Sequence, residues 1–392
     1  MMKKLSKRQK FIILTSLITV LVIIVIVIGV NVIRVNITNS SYNSSNSDSN
    51  NGNLLPEYIK EGITLGGVTG TLEDLDTSDA TAKPEDILWG KTAYVDGKKI
   101  TGTYLTLGML EVGDYVDYKP DVVNSYPLSS TYSGCSSDQT ISQENLSWRI
   151  LNINDDGTVD LVSSAPTSQT IYFEGALGYN NGVYLLNDIA TKLYSNSNLG
   201  VTARSLTIED IEAGMTEEGL EYVHSYTDNG VTYGDTVTYT DYIYYPHIYS
   251  YENGSGIDTT TIKSNGVDKS DNYYTSPTTQ TYLQANTSLT VTQTYYYRSM
   301  SDNYFKNSEF YNLLYSNGAY WLSSRCVYTN SSYAYYGISS IGSSYARGLL
   351  FRSDNHTFSS FYGLRPIVSF SSNVQVDGGD GTQEHPYTLK GI

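Results

Sequence analysis

An uncharged apolar segment near the N-terminus restricts the fold of this chain more than any other feature. Residues 11–33 read FIILTSLITVLVIIVIVIGVNVI and contain no charged side chain. A helix of this length reaches across a hydrocarbon core about 30 Å thick. A secretory signal peptide has a shorter apolar region and a small-residue cleavage site, and neither is present. The segment therefore predicts a transmembrane helix over residues 11–33.

The charge distribution predicts how such a helix is oriented. Six of the 24 basic residues lie in the first 34 positions, where no acid occurs, so the remainder has 18 basic against 40 acidic residues, a charge of 18 − 40 = −22. Basic residues before an apolar helix favour a cytoplasmic N-terminus. We therefore expect a cytoplasmic segment over residues 1–10, a single-pass protein of the cell membrane and an extracellular bulk. An acidic bulk argues against nucleic acid as a partner, because phosphate neutralisation supplies most of that affinity.

The region after the apolar segment predicts a linker and a stalk. Residues 34–53 include TNSSYNSSNSDSNNGN, which buries too little apolar surface to become ordered. A weak repeat follows, IKEGITLGGVTGTL and then ILWGKTAYVDGKKITGTY, and the Asp-Gly of the second copy indicates a β-hairpin. These copies resemble the small β-repeats of phage tail-fibre and bacterial surface proteins. The resemblance implies a β-repeat stalk over residues 54–109, through which the chain could form a homo-oligomer.

One larger domain is predicted over residues 110–392. The stretch WRILNINDDGTVDLVSS indicates a hairpin, and NNGVYLLNDIATKLYSNSNLG has apolar residues at helical spacing. Thr207 followed by Asp210 indicates the start of a second helix, and DNYFKNSEFYNLLYSNG a third. Strands are predicted in AYWLSSR, AYYGIS, RGLLFR and GLRPIVSF. Because strands and helices are mixed without βαβ alternation, the predicted fold class is α+β.

A tyrosine-rich stretch interrupts this domain at about residues 222–298. It holds 15 of the 38 tyrosines of the chain. Tyr offers a large amphipathic contact area at low rotamer entropy, which is why binding loops favour it. The same Tyr/Thr composition is also typical of ordinary β-strands. Both interpretations of this insertion stay open at the level of sequence.

Several motifs of the larger domain occur together in a fixed order: SWRILNINDDGTVDLVS, GYNNGVYLLNDIA, NLGVTARSLTIEDIE, NGAYWLSSR, YGLRPIVSF and GDGTQEHPYTLKG. Over residues 110–392 they resemble an uncharacterised domain family of bacterial surface and secreted proteins. The YWLSSR and GLRP ending is similar, more loosely, to the C-type-lectin-like fold of formylglycine-generating-enzyme relatives and phage receptor-binding proteins. This resemblance implies a C-type-lectin-like α+β domain whose terminal strands lie near a ligand surface.

The composition near the C-terminus indicates where a ligand would bind. Residues 322–374 contain no Lys, Glu, Gln, Met or Trp, the five residue types that codons ending in a pyrimidine cannot encode. This stretch resembles the variable region of proteins diversified by retroelements, which implies a ligand-facing surface; low-complexity surface strands are the alternative. The residues predicted to bind a ligand are Tyr328, Asn330, Tyr333, Tyr335, Tyr345, Asn355 and His356.

Other residues are predicted to be structural, namely Trp148, Trp321, Arg365, Cys135 and Cys326. Arg365 lies within the apolar run FYGLRPIVSF. Its guanidinium is expected to pair with a carboxylate or with free carbonyl groups, and a ligand-clamping role is the alternative. The two cysteines form either one disulfide or two separate thiols.

Catalytic signatures are missing from the sequence. The four histidines, His224, His247, His356 and His385, form no H-E-x-x-H motif, and no G-x-S-x-G, P-loop or dinucleotide fingerprint occurs. Formylglycine-generating enzymes use paired cysteines, whereas Cys326 is alone near the C-terminus. We therefore expect no enzyme, no metal and no cofactor. The sequences NINDDG and DGGDG could offer oxygen ligands to calcium but fit turns equally well.

These observations favour a non-catalytic, adhesin-like protein that binds an external protein or glycan. The rival hypothesis is a structural envelope or pilus-like component that self-associates through its Tyr-rich strands. A glycan-modifying enzyme is a third hypothesis, which a pair of facing carboxylates in a cleft would support.

Overall fold

The structure is a computed structural model. It describes residues 55–73, 76–88, 91–102, 104, 110–121, 125–240, 243–246, 282–285, 288–315, 318–342, 347–371 and 375–390. The chain divides into two compact units, Met1–Asp76 and Thr77–Ile392. The predicted cytoplasmic segment, transmembrane helix and linker, which together cover residues 1–53, lie outside the described residues.

The prediction of a membrane-spanning helix is corrected. No helix among the described residues is long and apolar enough to cross a membrane. The cell-membrane localisation with a cytoplasmic N-terminus, which depended on that helix, is corrected with it.

The two copies of the weak repeat have the same local structure. In the first unit, β1 (Thr64–Leu65) and β2 (Val68–Thr69) form a hairpin after a 3₁₀ turn at Pro56–Tyr58. In the second unit, β3 (Thr92–Val95) and β4 (Lys98–Thr101) follow a 3₁₀ turn at Pro84–Asp86. Asp96 and Gly97 have φ angles of 49° and 68°, as the two-residue turns that match strand twist require. The hairpin predicted from Asp-Gly is therefore confirmed.

The first half of the larger fold contains most of the helix. Its elements are β5 (Tyr115–Val116), β6 (Ser125–Leu128), α1 (Ser130–Ser133), β7 (Gln139–Ser142), β8 (Trp148–Ile153), β9 (Val159–Ser163), β10 (Thr170–Glu174), α2 (Gly175–Tyr194), β11 (Ala203–Ser205), α3 (Ile208–Ala213) and α4 (Glu217–His224).

Strands dominate the second half. Its elements are β12 (Thr227–Asp228), β13 (Val231–Thr232), β14 (Thr236–Thr240), β15 (Tyr244–Pro246), β16 (Tyr282–Gln284), β17 (Ser288–Thr292), α5 (Ser308–Tyr315), β18 (Tyr320–Thr329), β19 (Ala334–Ile341), β20 (Arg347–Arg352), β21 (His356–Thr357), β22 (Ser359–Gly363), β23 (Pro366–Phe370), β24 (Gln375–Gly378) and β25 (Thr388–Lys390).

Two larger sheets hold eleven of these strands, and the other ten pair in two-stranded sheets. One has the order β10-β22-β18-β19-β20-β21 and the other the order β11-β23-β9-β8-β5. The long helix α2 contributes Tyr179, Leu186 and Ile189 to the same buried cluster as Trp148 and Trp321. A second buried cluster joins α5 to β18 and β23. The core therefore lies where the single long helix meets both sheets.

The predicted fold class was wrong. Strands make up 41% of the described residues and helices 20%, so this part of the chain is mostly β and not the predicted α+β, C-type-lectin-like domain. Apart from α2, with 20 residues, the helices span between four and eight residues. The helices predicted from apolar spacing are present. The Tyr-, Thr- and Ser-rich stretches between them form strands, because such residues suit a half-buried pleated surface.

The helices themselves follow their sequence signals. The apolar residues at helical spacing in α2 are all buried, among them Val183, Leu186 and Leu193. At the start of α3, the Thr207 hydroxyl accepts a hydrogen bond from the Asp210 backbone N–H while the Asp210 carboxylate accepts one from the Thr207 N–H. This reciprocal cap confirms the predicted helix start.

Buried tyrosines should make the fold sensitive to alkali. Tyr194 is 1% exposed, and its burial raises the pKa of its phenol to about 12. An unfolded phenol ionises near pH 10. The neutral Tyr194 phenol therefore contributes stability that is fully present below pH 10 and is lost as the pH rises towards 12.

We expect the free energy of unfolding to fall above pH 10 by up to about 1.4 kcal/mol per pH unit for each such phenol. Burial also raises the pKa of Tyr118 and of Tyr336, which adds to the slope. Phenolate absorbance and circular dichroism are recorded together from pH 8 to 12, and part of the phenolate absorbance should appear only when the folded dichroism spectrum is lost. Complete ionisation of the phenols with an unchanged dichroism spectrum would contradict this.

Candidate ligand-binding surface

Four residues on four neighbouring strands form one row across the larger sheet. Tyr328 of β18 lies opposite Tyr335 of β19, Tyr335 lies opposite Arg352 of β20, and Arg352 lies opposite His356 of β21. Directly opposite residues of antiparallel strands place their side chains on one face. Exposure increases along the row, from buried Tyr328 to exposed His356. Three of the predicted ligand-binding residues thus share a face with an arginine that the prediction did not include.

Arg352 is held at the centre of this face. Its Nε donates to Asp354 Oδ1 at 2.8 Å and its Nη2 donates to Asp354 Oδ2 at 2.7 Å. The guanidinium carbon lies 4.6 Å from the ring centroid of Tyr333 and 5.8 Å from those of Tyr335 and Phe358. We call Tyr333, Tyr335, Arg352, His356 and Phe358 the Tyr–Arg surface.

The electrostatics of the pair fix both partners in their charged forms. The hydrogen bonds with Asp354 raise the pKa of Arg352, and those same bonds hold the pKa of the Asp354 carboxyl below its usual range. Because the two charges neutralise each other, the surface offers a fixed fork of donors and aromatic rings without a net charge.

Tyr328 lies beside the Tyr–Arg surface, at the buried end of the row. It is 8% exposed, its hydroxyl donates to Asp228 Oδ2 at 2.8 Å, and that hydroxyl accepts from Asn229 Nδ2 at 3.1 Å. Its ring is 5.4 Å from Tyr335 and 5.9 Å from Tyr295. Although the sequence predicted a ligand contact here, the structure places Tyr328 as the support on which Tyr335 packs.

The turn between β18 and β19 is closed by Asn330. Its Oδ1 accepts hydrogen bonds from the backbone N–H groups of Ser332 and Tyr333, at 2.9 and 2.8 Å. The hydroxyl of Tyr239, in β14, lies 2.7 Å from the carbonyl oxygen of Asn330 and 2.9 Å from that of Tyr333. Asn330 therefore shapes the turn that presents Tyr333, and the Tyr-rich stretch anchors it.

The remaining predicted ligand-binding residues differ in placement. Asn355 has a left-handed φ of 66° in the turn between β20 and β21, and its Nδ2 donates to the Tyr282 hydroxyl at 3.4 Å. The exposed ring of His356 lies 4.7 Å from Phe358. Tyr345 lies outside the described residues. His356 therefore belongs to the Tyr–Arg surface, and Asn355 sets the tight turn beside it.

Sequence reasoning missed Arg352, Asp354 and Phe358. The signal that could have found them is the stretch FRSDNHTF, where an arginine and an aspartate two residues apart precede an Asn that readily adopts a left-handed turn. A turn at Asn355 brings the arginine and aspartate side chains together.

Arg365 is completely buried and pairs with carbonyl groups. Its Nε donates to Ser163 O at 3.1 Å, and its Nη2 donates to Ser164 O at 3.2 Å and to Leu313 O at 2.7 Å. Its Nη1 donates to Leu314 O at 3.3 Å. The last two acceptors lie in the final turn of α5, where carbonyls have no partner within the helix. Of the two expected kinds of partner, the structure has the carbonyls.

The two tryptophans predicted to be structural fill the core. Trp148 packs edge-on against Tyr118, with ring centroids 4.8 Å apart. Trp321 donates its indole N–H to Ile171 O at 2.9 Å and packs edge-on against Tyr362, with centroids 4.8 Å apart. Both indoles are at most 1% exposed, so neither can contact a ligand in this state.

Cys135 and Cys326 are not joined in a disulfide, so of the two alternatives the structure has two separate thiols, of which Cys326 is buried and Cys135 partly buried. The Sγ of Cys135 donates to Tyr172 O at 3.2 Å. Cys326 is buried against Tyr295 and Tyr328.

The two stretches considered for calcium form ordinary turns. Asp156 Oδ1 accepts from the backbone N–H and hydroxyl of Thr158, and Asp380 Oδ1 accepts from those of Thr382. Within the described ranges, no group of three or more His, Cys, Asp or Glu residues is placed to hold a metal ion.

No protein-family model, curated protein or solved structure matches this chain. The resemblances drawn from its sequence motifs therefore stay predictions, and a proposal of function depends on the geometry of its own residues.

Proposed function

We propose that this chain is a non-catalytic recognition protein that binds a protein ligand through the Tyr–Arg surface. The observation that carries the proposal is the placement of Arg352, which is fixed by Asp354 and surrounded by the rings of Tyr333, Tyr335 and Phe358. Tyr and Arg are the residues that most often dominate the energy of protein interfaces.

The rigidity of these side chains favours tight binding. An interface loses free energy for each flexible side chain that it immobilises. Here Arg352 is already held by two hydrogen bonds, and Tyr335 already packs on Tyr328. Binding would restrict these side chains little further, so little of the free energy gained from ligand contacts would be lost to side-chain ordering.

A protein fits this surface better than a glycan. The guanidinium of Arg352 lies over the ring of Tyr333, so this ring face is covered and cannot pack on a sugar. What the surface offers instead is ring edges, phenolic hydroxyls and a guanidinium group. These groups suit the mixed apolar and hydrogen-bonding surface of a folded protein or peptide.

The test is binding of the full chain to an array of surface proteins, with a glycan array beside it. Any protein bound by the parent should lose affinity at least about tenfold with Arg352→Lys and with Tyr333→Ala, since truncating a central interface residue costs roughly 2 kcal/mol or more. Tyr94→Ala is a control that removes a 59% exposed tyrosine from β3, and it should bind as the parent does.

Two outcomes would overturn the proposal. In the first, a protein ligand is bound equally by the parent and by both surface variants, so that binding lies elsewhere. In the second, the parent binds no protein and forms homo-oligomers that Tyr333→Ala disrupts, which supports a self-associating structural component.

A further inference from the structure

A second aromatic feature lies on the sheet away from the Tyr–Arg row. Tyr172 of β10 is directly opposite Phe361 of β22, and their rings are stacked with centroids 5.0 Å apart and planes 22° apart. Tyr172 is 43% exposed and Phe361 55% exposed. Among the described residues from Leu110 onward, these are the two large hydrophobic side chains that are exposed. We call this pair the Tyr172–Phe361 stack.

The backbone beneath the stack is held firmly. The side-chain amide of Gln139 bonds both backbone polar groups of Tyr172. It accepts from the N–H and donates to the carbonyl oxygen, each at 2.9 Å. In return, the amide of Gln169 accepts from Ser142 N–H at 2.8 Å and donates to Thr140 O at 2.6 Å. Side-chain amides therefore occupy backbone groups that an added strand would need, so strand addition at this position is disfavoured.

Within β10 and β22, the residues that share a face with the stack are mostly polar, and none carries a positive charge. Side chains alternate between faces along a strand, which places Thr170 and Glu174 on the same face as Tyr172, and Ser359 on the same face as Phe361. The register confirms the pairing, with Glu174 opposite Ser359. The stack is thus an apolar surface bordered by two hydroxyls and one carboxylate.

Charge and size restrict what this surface can bind. The chain carries a net charge of −16, and a carboxylate lies beside the stack, which disfavours nucleotides, phosphates and acidic polymers. A stable protein interface buries about 800 Å² on each partner. Two half-exposed rings of about 150–250 Å² each offer much less. The remaining class is a small, uncharged ligand with a flat apolar side.

We infer that the Tyr172–Phe361 stack is a binding site for a neutral glycan. One side of a hexose ring carries C–H groups, which the outer face of either ring, the face turned away from the other ring of the stack, attracts because that face is electron-rich. The hydroxyls around the sugar ring can then donate to Glu174 and exchange hydrogen bonds with Thr170 and Ser359. Among the arginines whose side chains the structure describes, none lies over either ring of the stack, whereas Arg352 lies over Tyr333. This inference holds independently of the proposed protein ligand.

The experiment uses the full chain with neutral hexasaccharides, cellohexaose and chitohexaose, and with an oligogalacturonate as the anionic probe. Saturation-transfer NMR detects binding, and calorimetry gives the affinity, which we expect to be on the order of 1 mM or tighter for a site of this size. At least one neutral hexasaccharide should bind, and the oligogalacturonate should not.

Variants separate ring chemistry from simple apolarity. Tyr172→Phe keeps the stack and should bind within about twofold of the parent, whereas Phe361→Leu keeps an apolar side chain without a ring and should lose at least about tenfold. Tyr333→Ala, on the Tyr–Arg surface, should bind the sugar as the parent does. Tryptophan fluorescence of each variant verifies that the core around Trp148 and Trp321 is intact.

Three results would overturn the inference: a folded parent that binds neither neutral hexasaccharide, a folded Phe361→Leu variant that binds as well as the parent, or preferential binding of the oligogalacturonate. Loss of protein binding in Tyr333→Ala with retained sugar binding would leave both proposals standing, so each can fail separately.

Discussion

Replacing Arg365 with methionine is expected to lower the free energy of unfolding by about 3 kcal/mol. The substitution removes four buried hydrogen-bond donations, to Ser163, Ser164, Leu313 and Leu314, while a side chain of similar length remains. Leu314 O keeps a donor in the Tyr320 hydroxyl, and each of the other buried carbonyls left without a donor costs roughly 1–3 kcal/mol. Part of this is offset, because burying the guanidinium charge is itself unfavourable and lowers the pKa of Arg365.

Guanidinium unfolding followed by tryptophan fluorescence measures this effect, and two variants serve as controls. Arg365→Lys retains the charge but lacks the planar fork that reaches several carbonyls, so its loss should be intermediate. Arg204→Met removes an arginine whose side chain is 40% exposed and paired with Asp210, and should cost about 1 kcal/mol or less. A smaller loss for Arg365→Met than for Arg204→Met would show that the buried guanidinium is not what joins α5 to the strands.

The second large effect is expected at Gly348, in β20. A methyl group added there would overlap the indole ring of Trp321 at Cζ3 and Cη2. The indole cannot move aside freely, because it is completely buried and its N–H is bound to Ile171 O. Gly348→Ala should therefore cost about 2–3 kcal/mol, the upper part of the usual range of about 1–3 kcal/mol for overpacking a core.

A double-mutant cycle tests that explanation. Trp321→Leu removes the ring and is costly alone, but in its presence Gly348→Ala should cost less than about 1 kcal/mol, since the smaller side chain leaves room for the methyl group. Urea unfolding of the four proteins gives the coupling energy. Additive losses would mean that Gly348 is needed for its backbone and not for the space that it leaves to Trp321.

The parts of the fold that could be predicted depend on neighbours in sequence. The spacing of apolar residues in α2, the reciprocal cap at Thr207 and the Asp-Gly hairpin are each set within a few residues. The predicted α+β class is wrong because the described helices other than α2 are short, while the Tyr- and Thr-rich stretches form strands. Neither the order of the strands in a sheet nor the fraction of residues in strands follows from local sequence patterns, because both depend on pairing between distant segments.

The candidate surface shows the same limit. Composition identified Tyr333, Tyr335 and His356, but the partner that brings them together, Arg352, depends on the register of β19, β20 and β21. Tyr328 was predicted to contact a ligand because it is a tyrosine in the same stretch. Its burial comes from Asp228 and Tyr295, which lie in other segments and cannot be inferred from its own neighbours.

Tyr239 holds the backbone of the turn between β18 and β19 and not its side chains. Tyr239 grips the turn through the carbonyl oxygens of Asn330 and Tyr333, atoms that every amino acid possesses. A different side chain at position 333 would leave these hydrogen bonds unchanged. Under the proposed function, a substitution at position 333 would therefore change the ligand preference of the Tyr–Arg surface without changing the backbone that supports it.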